Sequence, residues 1–156
     1  MTSKNLINIK NLSVSFGNNI VLNNINLHLS KKESLVIIGK SGSGKSVLLR
    51  CLMGLLKPDL GSIEIDNVDI VNANRIDKEK ALTNIGVTFQ NGALFDSLNV
   101  WENITFKQTR FFGFNKKAAK EKALSIIKNL ELNENILELY PSELSGGMQK
   151  RVAIAR

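Results

Sequence analysis

The order of apolar and polar residues predicts strands in the first half of the chain. Residues 6–16 and 20–29 alternate apolar and polar side chains over much of their length, and a Gly-Asn-Asn sequence at residues 17–19 separates them. Alternation of this kind is typical of strands with one solvated face. With the turn residues between them, the two segments predict an antiparallel hairpin. A further strand is predicted at residues 62–66.

Two shorter segments have a different pattern. Residues 34–38 and 85–89 are nearly continuous apolar runs bounded by glycine or polar residues. Such runs are typical of strands that are buried on both faces of a sheet. We therefore expect both segments to be buried strands of an α/β core.

Helical periodicity is found at residues 45–54, 75–82 and 116–130, and the chain is mainly helical from about Asn91 onward. Asn115 is a suitable N-cap for the last of these helices. Its apolar positions fall on one helical face, namely Ala119, Ala123, Ile126, Ile127 and Leu130. Such a face could lie on a membrane, but packing against another helix is the commoner reason for it.

Composition indicates one ordinary globular domain. The chain has 156 residues, of which 43% are hydrophobic and 22% are charged. The net charge of +7 would suit attraction to polyphosphate, nucleic acid or anionic lipid. Because the basic residues are scattered, we favour a solvated basic surface, with attraction to nucleotide as a minor effect.

The cellular compartment is predicted from the single cysteine, the polar first residues and the lack of long apolar runs. Cys51 is the one cysteine, so no internal disulfide can form, and we expect it to be a small buried hydrophobe. The first residues are too polar for a secretory signal, and no apolar run approaches the ~18 residues that a membrane helix needs. We expect a cytoplasmic protein whose membrane contact is made through a partner.

Residues 39–46, Gly-Lys-Ser-Gly-Ser-Gly-Lys-Ser, fit the pattern G-x-x-x-x-G-K-[ST] at every fixed position. Glycines let successive N–H groups point at anionic oxygens, and the helix that follows directs its positive end to the same place. The helix end contributes only about 0.3–1 kcal/mol, whereas micromolar affinity requires about 8 kcal/mol. We therefore expect Lys45 to contact the β- and γ-phosphates of ATP and Ser46 to hold Mg²⁺. The predicted ATP-binding residues of this loop are Gly39, Lys40, Ser41, Gly42, Ser43, Gly44, Lys45, Ser46 and Val47.

A second motif, Leu-Ser-Gly-Gly-Met-Gln-Lys-Arg, occupies residues 144–151. Ser145 can cap a helix, and Gly146 and Gly147 would let a large anion approach the start of that helix. Taken alone, the segment could equally be an ordinary capped helix.

Together the two motifs resemble those of ATP-binding-cassette (ABC) ATPase domains, and their separation is similar to that of transporter-type cassettes. The resemblance implies an α/β P-loop NTPase core with an N-terminal antiparallel β subdomain and an α-helical subdomain, incomplete at the C-terminus. It divides the chain into the ATP-binding core (residues 1–91), the α-helical subdomain (92–144) and the signature helix (145–156).

The resemblance also implies roles for individual residues. Phe16 would stack on adenine, and Gln90 would touch Mg²⁺ or the attacking water and sense the membrane partner. Lys45, Ser46 and Gln90 would be the catalytic residues that the chain contains. The signature residues would contact ATP bound by a second copy in a head-to-tail dimer; they are Leu144, Ser145, Gly146, Gly147, Met148 and Gln149. The transmembrane permease would contact the region of Trp101 and Glu102, although local packing explains these two residues equally well.

A narrower resemblance rests on Gly-Ala-Leu-Phe at residues 92–95 and on Met148. These are similar to the ATPase subunit of Mla-type phospholipid transporters. That resemblance implies a permease, a lipid-binding periplasmic partner, a peripheral position on the inner face of the inner membrane, and no nucleic acid. The alternatives are an ABC ATPase for another substrate, a soluble ABC protein acting on ribosomes or DNA, and a non-enzymatic ATP-binding module.

Three family elements are not among the 156 residues: the Walker B Asp, the adjacent catalytic Glu and the switch His. His28, in the predicted hairpin, is the only histidine and is interpreted as a structural or surface residue. We expect that the chain alone does not hydrolyse ATP. We also expect it to be less soluble and less stable than a version extended by ~80–100 residues.

Overall fold

The computed structural model describes residues 5–90 and 92–156, so Asn91, where helical character is predicted to begin, lies outside the described residues. The chain divides into two units, one ending at Gly86 and the other comprising Val87–Arg156. The first contains β1 (Asn5–Phe16), β2 (Asn19–Ser30), α1 (Lys45–Leu52), β3 (Leu60–Ile65), β4 (Val68–Asp69) and α2 (Arg75–Thr83). The second contains α3 (Val100–Ile104), α4 (Phe106–Phe111), α5 (Lys116–Asn129), two 3₁₀ helices (Glu134–Glu138 and Pro141–Glu143) and α6 (Gly146–Ala155).

The strands of the first unit form one antiparallel sheet in the order β2-β1-β3-β4. Ile7 of the central strand β1 lies opposite Leu29 on one side and Ile65 on the other. The predicted hairpin and the strand after it are confirmed. The two-residue strand β4 is too short to leave a periodic signal.

One face of this sheet is covered by α1 and α2 because alternate strand residues and one side of each helix are apolar. The buried core of the unit comprises Ile9, Leu12, Val14, Leu22, Leu48, Cys51, Ile63, Ile65, Ile70 and Ala81. Cys51 is buried, as expected, and burial raises the pKa of its thiol. It is therefore poorly reactive and packs as a small hydrophobe.

The second unit is helical and has its own core. The face predicted for residues 116–130 is confirmed, since α5 buries Ala119, Ala123 and Ile127 completely. It packs on protein, in one cluster with α3 and with Val152 of α6. Asn115 caps α5 by accepting a hydrogen bond from the N–H of Ala118 at 2.9 Å. No helix in the described part of the chain is long and apolar enough to cross a membrane.

The two predicted buried strands are wrong. Residues 34–38 and 85–89 lie in no strand, and Leu35, Val36, Ile37 and Ile38 are 38–89% exposed. A β-strand requires a neighbouring strand to accept and donate its backbone hydrogen bonds. Within residues 5–90 and 92–156, no strand pairs with either segment, so the apolar sequence alone does not produce a strand.

Candidate nucleotide-binding site

The loop at residues 39–46 turns sharply at Ser41 to Gly44 and leads directly into α1. Gly42 has a φ of 78° and Gly44 a φ of 87°, a region that other residues rarely adopt. Lys45 is the first residue of α1. The helix predicted after the loop is therefore confirmed, and the glycines stand where the backbone needs them.

Helix α1, like α4, has no side-chain cap at its start. Its N-cap, Gly44, has no side chain, so the first N–H groups of the helix have neither an intrahelical acceptor nor a capping oxygen. By contrast, an Asn or Ser side chain accepts a first-turn N–H in α2, α3, α5 and α6. The N–H donors of α1 thus remain open to an anionic ligand.

The Lys45 ammonium lies over the loop rather than extending into solvent. Its Nζ donates to the carbonyl oxygens of Gly39 and Lys40, both at 2.7 Å, and to Ser43 Oγ at 3.3 Å. The N–H of Ser43 also donates to the Lys40 carbonyl at 3.3 Å, which closes a tight turn. A positive charge is therefore held at the centre of a curled backbone, where it can exchange its carbonyl partners for phosphate oxygens.

A pocket of about 420 Å³ opens beside the loop and is lined by Ser41 to Val47 together with Val21 of β2. A Cβ added at Gly44 would lie 2.8 Å from Leu22 Cδ2 and 2.9 Å from the Val21 carbonyl oxygen. Only glycine fits this approach. No local sequence pattern predicts that β2 lies against the loop, because that contact joins segments some 20 residues apart.

Phe16, the predicted adenine contact, ends β1 and is exposed. It lies opposite Asn19, which is two residues from the pocket-lining Val21. A strand rises about 3.4 Å per residue, so Asn19 and Val21 are only about 7 Å apart along β2. Phe16 therefore lies at the same end of the hairpin as the pocket.

Gln90 belongs to the second unit and is exposed. It lines a pocket of about 210 Å³ with Thr88, Phe89, Gly92, Lys150, Ala153 and Ile154. One wall of that pocket is therefore formed by α6, which carries the second sequence motif.

The start of α6 has a side-chain cap and also leaves open space beside its two glycines. Ser145 Oγ accepts a hydrogen bond from the N–H of Met148 at 3.3 Å, as its position predicts. A Cβ added at Gly146 or Gly147 would meet nothing within 4 Å, so a large anion has room to approach. Gln149 has a local role that the sequence did not reveal, because its Nε2 donates to the carbonyl of Pro141 at 2.7 Å. Leu144 is buried and anchors the segment.

Trp101 and Glu102 both make interactions within the second unit. Glu102 forms a reciprocal capping pair with Asn99, accepting that residue's N–H at 3.0 Å and donating its own to Asn99 Oδ1 at 3.1 Å. Trp101 is buried, and Lys120 Nζ lies 5.5 Å from the centre of its ring. Local packing thus accounts for both residues.

His28 is exposed on β2, in agreement with its interpretation as a surface residue. Over the described residues, no three His, Cys, Asp or Glu side chains come together as a possible metal site.

A glycine-rich loop that runs into an uncapped helix, with its lysine folded over it, defines the P-loop class of proteins. Comparison with known families agrees, because residues 22–156 match the family described as ABC transporter. The chain belongs to this family and is by family an ABC-type ATPase, with ATP and Mg²⁺ as the ligands of such domains.

Curated relatives are similar over nearly all of this chain. The ergothioneine transport ATP-binding protein EgtV of Helicobacter pylori (strain G27) is 39% identical over 153 residues, which cover 98% of this chain and 69% of that protein. The glutamine transport ATP-binding protein GlnQ of Escherichia coli (strain K12) is 42% identical over 151 residues, covering 97% of this chain and 62% of that protein. The chain thus spans about two thirds of the length of these relatives.

Solved structures show the same fold. The ATP-binding cassette MJ0796, in a dimeric post-hydrolysis state bound to ADP and Pi, superposes with a TM-score of 0.79 at 33% identity. The match covers 96% of this chain and 67% of the MJ0796 chain. The predicted fold class, an ABC ATPase fold with an N-terminal antiparallel sheet followed by helices, is confirmed.

Proposed function

We propose that this chain is the nucleotide-binding part of an ABC transporter ATPase and that residues 39–46 bind the β- and γ-phosphates of ATP. The observation that carries the proposal is the position of Lys45 Nζ, 2.7 Å from the carbonyls of Gly39 and Lys40. A lysine held there, beside the uncapped start of α1, presents an ammonium and several N–H donors to one anion.

Each residue of the site has a proposed part. Lys45 neutralises charge on the phosphates, and the N–H groups of Gly42 and of Gly44 to Val47 donate to their oxygens. Ser46 is exposed on the first turn of α1, so its hydroxyl is available to a Mg²⁺ ion. When bound, Mg²⁺ supplies further neutralisation of the phosphate charge. Phe16 stacks on the base, and Gln90 orients the attacking water.

We further propose that the protein acts as a head-to-tail dimer with a transmembrane permease. The support is the open start of α6, where Gly146 and Gly147 leave space for the phosphates of ATP held by a second copy. A similar cassette is described as dimeric with ADP and Pi bound. Catalysis by the whole protein would then require Ser145 of one copy to act on ATP bound to the other, at the cytoplasmic side of the membrane.

For the substrate, we propose phospholipid, on the similarity of residues 92–95 and Met148 to Mla-type ATPases. Import of an amino acid is the second candidate, because relatives of 37–42% identity are named for glutamine, methionine, glutamate/aspartate and arginine. A lipid-binding partner belongs only to the first candidate. Co-purification of the chain with its permease, followed by mass spectrometry of bound small molecules, separates them: phospholipid supports the first and amino acid the second.

Substitution of Lys45 tests the nucleotide site. We expect Lys45→Ala to abolish measurable binding of a fluorescent ATP analogue, because the ammonium is the one full positive charge that bonds within the curled loop. Lys31→Ala, at an exposed position outside the site, is the matched control and should bind like the unmodified chain. Equal affinity of the Lys45 and Lys31 variants would refute the proposed site.

A further inference from the structure

The connection between α4 and α5 exposes three phenylalanine rings. Phe111, Phe112 and Phe114 are 74%, 62% and 39% exposed, and together with Gly113 we refer to them as the aromatic turn. Gly113 has a φ of 67°, and a Cβ there would meet nothing within 4 Å. The backbone of the turn is thus open to solvent as well as its rings. Contiguous exposed apolar side chains of this kind usually mark an interaction surface.

The aromatic turn is flanked only by positive charges. From Asn103 to Lys120 the sequence contains no Asp or Glu, whereas Lys107, Arg110, Lys116 and Lys117 are all exposed. Among the ion pairs of the described residues, none includes Lys107, Arg110 or Lys117. Lys107, Arg110 and Lys117 are therefore available to an anionic partner, whereas the charge of Lys116 also acts on Glu138 and helps to lower the pKa of that carboxyl, after the larger effect of its hydrogen bond from Lys120.

We propose that the aromatic turn and its flanking cations bind directly to the surface of a bilayer that contains anionic lipids. This goes beyond the proposed function, in which the protein reaches the membrane only through its permease. The phenyl rings would enter the headgroup region, and the four cations would remain among the lipid phosphates.

The form of the aromatic turn favours a bilayer over an acidic protein partner. A protein interface is usually centred on side chains enclosed in well-packed pockets. Here the rings protrude and the glycine between them has open space around it, so a fluid surface can surround them without a preformed complement. The flanking cations match anionic headgroups, each contributing on the order of a fivefold increase in binding at low salt.

Sedimentation with vesicles tests the proposal. The full chain would be mixed with vesicles of neutral phosphatidylcholine, or with vesicles in which about a third of the lipid is anionic phosphatidylglycerol, which gives the surface a negative potential. We expect binding to the anionic vesicles that weakens as salt rises, because exposed charges are screened. The double variant Phe111→Ser/Phe112→Ser should lose roughly tenfold or more of this binding, and Lys116→Gln/Lys117→Gln roughly 25-fold.

Matched variants distinguish vesicle binding by the aromatic turn from non-specific adsorption of the chain and from nucleotide binding. Leu55→Ser and Lys31→Gln/Lys32→Gln alter an equally exposed apolar residue and an equally exposed pair of lysines elsewhere, and they should bind vesicles like the unmodified chain. Lys45→Ala should also bind vesicles normally, so failure of the ATP site and failure of the lipid site are distinguishable. Equal binding to neutral and anionic vesicles, or no effect of the phenylalanine variant, would overturn the proposal. So would Phe-dependent binding to a poly-glutamate peptide without vesicle binding, which would assign the surface to an acidic protein.

Discussion

The apolar face of α5 and the apolar run at residues 34–38 differ in what surrounds them. Ala119, Ala123 and Ile127 are completely buried in the helical unit, whereas Val36 and Ile38 are 76% and 89% exposed. Both segments are hydrophobic enough for a protein core. The difference shows that an apolar sequence becomes buried only where another element supplies the complementary surface.

The physical reason lies in the backbone. A helix bonds its own N–H and C=O groups, so α5 needs only apolar side chains from α3 and α6 to become buried. A strand leaves its backbone groups to a neighbouring strand, and burial without one would leave them unsatisfied. Residues 34–38 have no such neighbour among the described strands, and they therefore stay in solvent.

The largest change in the free energy of unfolding is expected from a substitution in the helical core. Ile127→Ala should lower the free energy of unfolding of the second unit by about 2–5 kcal/mol, since it removes buried methyl groups and leaves a cavity. Chemical denaturation followed by circular dichroism measures the change. A loss below 1 kcal/mol would mean that α5 is not packed as described.

A buried polar contact in the same unit should give a somewhat smaller effect. Asn103 Oδ1 accepts the N–H of Phe95 at 2.8 Å, and its Nδ2 donates to the carbonyls of Phe95 at 3.1 Å and Leu98 at 2.9 Å. We expect Asn103→Ala to cost about 1–3 kcal/mol, because it leaves these backbone groups without partners. Faster hydrogen exchange at Phe95 would localise the loss, and unchanged exchange would contradict this explanation.

The exposed run should respond very little. Val36→Ser changes a side chain that is 76% exposed, so we expect a change in unfolding free energy within about 0.5 kcal/mol. The same denaturation experiment measures it beside Ile127→Ala. A loss as large as that of the core variant would show that residues 34–38 are buried in solution.

The smallest effect concerns paired strands in the first unit. Hydrogen bonds from Asn8 and then from Lys10 hold the pKa of Glu64 below its ordinary value, tying β3 to β1. Because this pKa is lowered in the folded state, the contribution is full above the ordinary glutamate pKa and is lost as pH falls through the lowered value. Melting temperatures of the chain and of Glu64→Gln should therefore converge in acid and differ slightly near neutral pH.

Much of the candidate site was predictable because its signals are local. The glycines at Gly42 and Gly44, the start of α1 at Lys45 and the cap at Ser145 each depend on a few neighbouring residues. The neighbours of these elements were not predictable. Val21 beside the loop and Gln149 bonded to the Pro141 carbonyl depend on how separate segments meet.

The sequence by itself determined the glycine-rich loop at residues 39–46, the antiparallel hairpin and the capped amphipathic helices. It could do so because turn chemistry, periodicity and helix caps act within a few residues. Only the tertiary structure decided which apolar segments are buried, which strand lies against Gly44 and which phenylalanines stay in solvent. Burial and contact at these positions depend on complementary surfaces from distant parts of the chain. A local sequence pattern does not indicate whether such a surface is present.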